Sequence, residues 1–154
     1  MSSFAERALR ALPPDLVTLR TPRAADQRAS VVELCRGALL SPVASPPLDR
    51  LAQGARRIAV IVSDESRDEP RSDMLRALRE VLPWDRVTLV VASGTPEASH
   101  RAVPDEHRDR PVVVHGSGST VVDLGRTTRG TRIRLLDVVA EADLVVATGR
   151  VRPH

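Results

Sequence analysis

Ser63, Asp64, Ser66 and Arg67 crowd together where a strongly apolar stretch ends, in the run R-I-A-V-I-V-S-D-E-S-R from Arg57 to Arg67. Ile58 to Val62 is apolar throughout and β-branched everywhere but Ala59, the pattern of a central strand buried on both faces. Hydroxyl, carboxylate and guanidinium groups at the end of such a strand suit ligand binding, because open α/β sheets take their ligands at the carboxyl ends of their strands. The blander alternative is a surface ion pair at a strand end. The chain has His100, His107, His115 and His154. His107 and His115 have no ligand partner at metal-binding spacing, and no metal site is predicted.

Composition removes several classes of chemistry. All 23 basic residues are arginine, so a Schiff-base mechanism and a Walker-type phosphate loop, which need lysine, are ruled out. Phe4 and Trp84 are the only aromatics. They cannot form a platform for stacking nucleic-acid bases, and the core must come from Val, Leu, Ile and Ala. The pI of about 10.7 overstates the basicity, since the formal charge is only +3. Acids and arginines interleave, as in Asp105-Glu106-His107-Arg108, and no basic stripe marks a nucleic-acid partner. The single cysteine, Cys35, falls in an apolar-periodic segment and is expected to be a small buried residue. No apolar run approaches the ~18 residues of a membrane span, and no signal-peptide hydrophobic region stands at the N-terminus. A cytoplasmic protein without a membrane partner is expected. At 154 residues, one domain is expected, burying about two-thirds of its unfolded surface.

Spacing also predicts the scaffold on which these residues are mounted. Residues 4–12 have helical periodicity, stopped by Pro13-Pro14, and 20–28 form a polar connector. Residues 1–30 are therefore set apart as an N-terminal helix and connector, and 31–154 as the main α/β domain. Ser30 and Glu33 form a capping box for a helix from Val31 to Leu40, with Val31, Leu34, Cys35, Ala38 and Leu39 on one face. A proline-rich loop leads to a short helix ending near Gly54. After the first strand, Ser72 caps a helix through Val81, with Met74, Leu75, Leu78 and Leu82 facing inward. Val87 to Ala92 is a second buried strand opening into Ser93-Gly94-Thr95-Pro96. The order argues a parallel pair with a right-handed crossover. A short helix begins at Pro96. Val112 to His115 is a third strand, and the G-S-G-S after it is read as a plain turn. Val121–Arg126 and Arg132–Leu135 flank T-T-R-G-T as a β-hairpin. Val138–Ala142 is a short helical piece, and Asp143–Ala147 another buried strand. The fold class is α/β: a mostly parallel sheet with flanking helices, Rossmann-like and three-layered, plus a β-hairpin near 121–135. The loops Ser63–Arg67, Ser93–Pro96 and Thr148–His154 gather at one edge of that sheet.

Certain of these stretches resemble a known family. S-P-P-L at 45–48, I-V-S-D-E-S-R at 61–67, V-A-S-G-T-P at 91–96, L-G-R-T-T-R-G-T at 124–131 and E-A-D-L-V-V-A-T-G-R-V-R-P-H at 141–154 look, in that order and spacing, like the N-terminal part of the nickel-dependent lactate racemases. The resemblance implies interconversion of 2-hydroxy acid enantiomers, D- and L-lactate. In that family hydride passes to a nickel-pincer pyridinium mononucleotide tethered to a lysine, while a pair of histidines act as general bases. By position, Asp64, Glu65, Ser66 and Arg67 match the family's D-x-T-R cofactor-contacting loop. The resemblance gives Arg67 the role of a planar fork for phosphate or carboxylate, oriented by Asp64, with the Ser66 hydroxyl standing in for threonine. His154 matches the second catalytic histidine.

The chain also departs from the pattern. Pro96 stands where the first catalytic histidine is expected, and His100, one helical turn on, is the available substitute. With no lysine, the pincer cannot be attached in the family manner. The nickel-binding histidine and second domain belong to a region past the P-H motif. Two readings are open. One is an enzyme part, either truncated or paired with a separately encoded C-terminal part, with an unfinished apolar edge near Val145–Val151 that would bind a partner. The other is a non-catalytic small-anion or nucleotide-binding module, or an inactive remnant.

Overall fold

The computed structural model describes residues 29–93, 99–116 and 118–149. The expected helix over 4–12, the connector, the Gly94–Pro96 turn and His154 lie outside the described residues. The first described helix, α1 (Val31–Leu40), begins as expected. Ser30 Oγ accepts from the Glu33 N–H at 3.3 Å, and the Glu33 carboxylate accepts from the Ser30 N–H at 2.8 Å. Two N–H groups that the helix itself cannot pair are thereby satisfied. The buried face differs from the expected one. Val32, Cys35 and Leu39 are half-buried, whereas Val31 and Leu34 are exposed. The reason is the neighbour: α1 packs chiefly against another helix, α3 (Arg71–Val81), with Arg36 paired to Glu80 at 3.3 Å. One helix offers a narrower line of contact than a sheet, so Cys35 is a half-buried residue and not a core one.

The short helix α2 (Leu48–Ala52) buries Leu48 and Ala52 and leads into β1 (Ile58–Ser63). In α3, Leu75 and Leu78 face the core at one-turn spacing. That helix starts one residue before the expected cap, with Pro70 at the N-cap. Ser72 Oγ instead donates to the Glu106 carboxylate. A charged acceptor makes a stronger bond than the helix's own N–H groups would. A 3-10 turn at Trp84–Arg86 precedes β2 (Val87–Ala92). Beyond it come β3 (Val112–Val114), the hairpin strands β4 (Val121–Arg126) and β5 (Arg132–Leu136), the short α4 (Asp137–Ala140) and β6 (Leu144–Ala147). The hairpin closes through Gly130, whose φ of +81° only glycine adopts freely.

The main sheet has the order β3-β2-β1-β6. Every pairing is parallel, with Ile58 opposite Val87 on one side and Leu144 on the other, and Leu89 opposite Val112. Alternation then decides the two faces. Ile58, Val60 and Val62, with Val87, Leu89 and Val91, pack on Leu48, Leu75, Leu78 and Trp84. On the other face Ala59 and Val90 meet Leu136, with Val138 and Val139 of α4 partly buried beside them. The helical layer on that side is α4 alone among the described residues. The composition of β6 predicts a buried strand. It borders the described sheet instead, and Val145, opposite Ala59, is 43% exposed. Among the described residues no helix is long and apolar enough to cross a membrane.

Candidate functional site at the sheet's carboxyl edge

The strand order creates a switch point. From β1 the chain builds outward through β2 and β3, then returns to place β6 on the opposite side of β1. β1 and β6 lie side by side in parallel and end at the same edge of the sheet, which is where open α/β sheets hold ligands. Thr148 fastens the end of β6 there, donating from its N–H at 2.9 Å and its Oγ1 at 3.2 Å to the Ile61 carbonyl. Gly149 lies against the β1 loop, since a Cβ on it would meet Glu69 Oε1 at 3.8 Å.

The loop after β1 is built on Asp64, only 3% exposed. Its carboxylate accepts from the Ser66 N–H at 3.0 Å and from the Ser66 hydroxyl, the short-range bonding by which Asp shapes a turn. Its carbonyl accepts from the Arg67 N–H at 3.2 Å. Among the bonds of Asp64 are these to Ser66 and to the backbone of Arg67. Glu65 is exposed and accepts from the Ser99 hydroxyl at 2.7 Å and the Ser99 N–H at 3.4 Å. The hydroxyl bond is the main reason its carboxyl is held below the usual range. Through Glu65 the segment following β2 is pinned to the β1 loop. Arg67 itself is exposed, and no ion pair among the described residues involves it.

The histidines separate in the structure. His100 opens a 3-10 turn (His100–Ala102) in place of the expected α-helical face, and is exposed next to Ser99. His115 donates its N–H to the Val91 carbonyl at 3.0 Å, closing the end of β3. His107 is a core residue, 3% exposed, edge-on to Trp84 at 6.0 Å, with Nε2 3.3 Å from the Ser72 carbonyl. His154 lies outside the described residues.

Sequence reasoning missed the groups that hold this loop together. Ser63 Oγ donates to Glu69 Oε2 at 2.6 Å. Arg71 Nη2 donates to the Asp64 carbonyl at 2.7 Å, and to Ser63 Oγ and the Arg67 carbonyl at 3.3 Å each. With the cap expected at Ser72, Arg71 fell outside the helix, and its place in the first turn came only with the structure.

The donors at this edge fit an anion: an exposed guanidinium, hydroxyls and the ends of parallel strands. The sequence has no lysine, so these residues do not themselves supply the tether of the family's nickel group.

Comparison with known proteins agrees with this reading of the fold. The family model of the lactate racemase N-terminal domain matches residues 6–154. A lactate racemase of Lactiplantibacillus plantarum is 30% identical over 139 residues, covering 82% of this chain and 33% of that protein. A lactate racemase of Thermoanaerobacterium thermosaccharolyticum is 26% identical over 134 residues, covering 79% and 32%. The chain spans about a third of the length of these curated relatives. With a family match that runs over almost all of its length, the chain belongs to the lactate racemase N-terminal domain family.

Proposed function

We propose that the chain supplies the anion-holding part of a lactate-racemase-type site, with Arg67 receiving the carboxylate of a small 2-hydroxy acid or the phosphate of a nucleotide. The observation that carries this reading is the exposed Arg67 on a loop built around buried Asp64, at the switch point between β1 and β6. A guanidinium presents parallel N–H groups that match a carboxylate, and charge-assisted bonds of this kind contribute about 1.5–3 kcal/mol each. Asp64, Glu65 and Ser66 hold the loop in shape, and Ser99 joins it to the neighbouring segment. His100 is exposed beside Ser99 and is the group proposed to take the hydroxyl proton of such an acid, with His154 as a second base. The family's nickel-pincer nucleotide would supply hydride chemistry. No step is assigned to it, since these residues supply no lysine tether.

Turnover is proposed to need, in the cytoplasm, the part of the relatives' length that this chain does not match. The half-exposed β6, with Val145 open on one face, is the edge offered to it. The second reading, a small-anion-binding module without turnover, shares the same loop and differs only in needing no such partner. Titration of the 154-residue chain with D- and L-lactate, followed by amide chemical shifts, tests the common part. Shifts are expected at Ser63–Arg67 and at Thr148 and Gly149, and Arg67→Ala is expected to weaken binding by about tenfold or more. Equal affinity in the variant would sink the assignment of Arg67.

A further inference from the structure

Arg71 has a geometry that the anion-holding role of Arg67 does not by itself explain. Its side chain is half-buried, in the first turn of α3. One of its nitrogens, Nη2, gathers three oxygens from one loop: the Asp64 carbonyl at 2.7 Å, Ser63 Oγ at 3.3 Å and the Arg67 carbonyl at 3.3 Å. Its Nε is buried with no hydrogen-bond partner among the described residues, and none of the ion pairs among them includes it. A partly desolvated cation held by carbonyl and hydroxyl oxygens is costly unless it organises something. What it organises is backbone. The carbonyls of Asp64 and Arg67 converge on one nitrogen, while the Asp64 carbonyl also takes the Arg67 N–H at 3.2 Å. Both peptide groups flanking the Arg67 α-carbon are thus held, and with them the direction in which its side chain leaves the loop.

We propose that Arg71 is a positioning residue: it clamps the loop from Ser63 to Arg67 so that the Arg67 guanidinium is presented to the anion in a fixed direction. This rests on the reading of Arg67 as the anion-binding group. Preorganisation lowers the ordering cost of binding, so loss of the clamp appears as lost affinity although Arg71 does not touch the ligand. Lysine at this position carries a point charge that can serve one or two of the same carbonyls. It should recover part of the effect, whereas methionine fills the same space and recovers none.

The experiment is a double-mutant cycle on the whole chain, titrated with L-lactate. Arg71→Met is expected to weaken binding roughly fivefold, the loss of about one net hydrogen bond, and Arg71→Lys by less. In the Arg67→Ala background, Arg71→Met should change affinity by less than about twofold, because a residue acting through Arg67 has nothing left to position. Wild-type affinity in Arg71→Met overturns the proposal. So does a full additive loss in the double variant, since that makes Arg71 a direct ligand contact. Amide hydrogen exchange separates this proposal from the one it rests on. If the wild-type chain binds no lactate, the assigned function fails. The clamp is then judged by the Ser66 and Arg67 amides, expected to exchange faster in Arg71→Met while Leu75 and Leu78 keep their protection; unchanged exchange at Ser66 and Arg67 overturns it.

Discussion

The two faces of the parallel sheet are built to different degrees of completion. On one, Val60, Val62, Leu89 and Val91 are sealed by Leu48, Leu75, Leu78 and Trp84, with α2 and α3 laid across them. On the other, Ala59 and Val90 have Leu136 as their buried partner, and the four-residue α4 is the helical cover among the described residues. The difference lies in the connections between strands. The connection from β1 to β2 carries an eleven-residue helix, while the route from β3 to β6 spends most of its length on a hairpin whose Leu124 and Ile133 remain exposed. A parallel sheet ordinarily has both faces covered, and the relatives are about three times as long as this chain. The well-sealed face carries stability; the thinly covered one, with the open side of β6, is where a partner is proposed to sit.

Substitutions can break that contrast, beginning with the largest effect. Leu75 is fully buried on the sealed face, and Leu75→Ala is expected to cost about 3 kcal/mol through lost burial and the cavity left behind. Denaturant unfolding measures it, and a cost below ~1 kcal/mol would mean that this face is not the stabilising one. The next effect concerns how the open side is tied on. Asp143 accepts from the Arg56 and Arg57 N–H groups at 2.9 Å each, joining the entry of β1 to that of β6. These bonds, the one from Arg57 foremost, hold its carboxyl below the usual range. A depressed carboxyl contributes stability that is complete above the ordinary carboxylate range and fades as pH falls through the folded-state value. Melting temperature should therefore drop below about pH 4, and drop less steeply in Asp143→Asn. Parallel pH profiles for the two proteins would remove Asp143 from the account. The smallest effect is at Val145. Val145→Thr on the open side should change the stability of the isolated chain by no more than ~0.5 kcal/mol. A cost several times larger would show that β6 is covered in the isolated chain.

Much of this architecture is legible in the residues. The capping box at Ser30 and Glu33, the buried run of β1, the parallel β1–β2 pair and the hairpin near 121–135 are local patterns, and they appear as expected. The errors arise where a neighbour's identity matters. Periodicity puts Val31 and Leu34 on one face with Cys35 and Leu39, but α1 meets α3 and leaves Val31 and Leu34 exposed. Ser72 has the chemistry of a cap but found a better partner in Glu106. Asp143–Ala147 has the composition of a central strand and borders the described sheet. At the candidate site, Asp64 to Arg67 stand out by type and position, whereas Glu69, Arg71 and Ser99 do not. Their roles come from bonds that cross loops, and neither periodicity nor spacing encodes which loop lies opposite.

Residue order alone was enough for the class of fold and for the place along the chain where polar groups leave an apolar strand. These depend on residue type and on periods of two and 3.6, which act between near neighbours. Packing in three dimensions was needed to bring β6 back beside β1, to bury Asp64 while turning Arg67 toward solvent, and to let Arg71 draw the loop's carbonyls together. Those outcomes depend on which distant segment fills each space, because a buried polar group takes whichever partner the packing brings within reach.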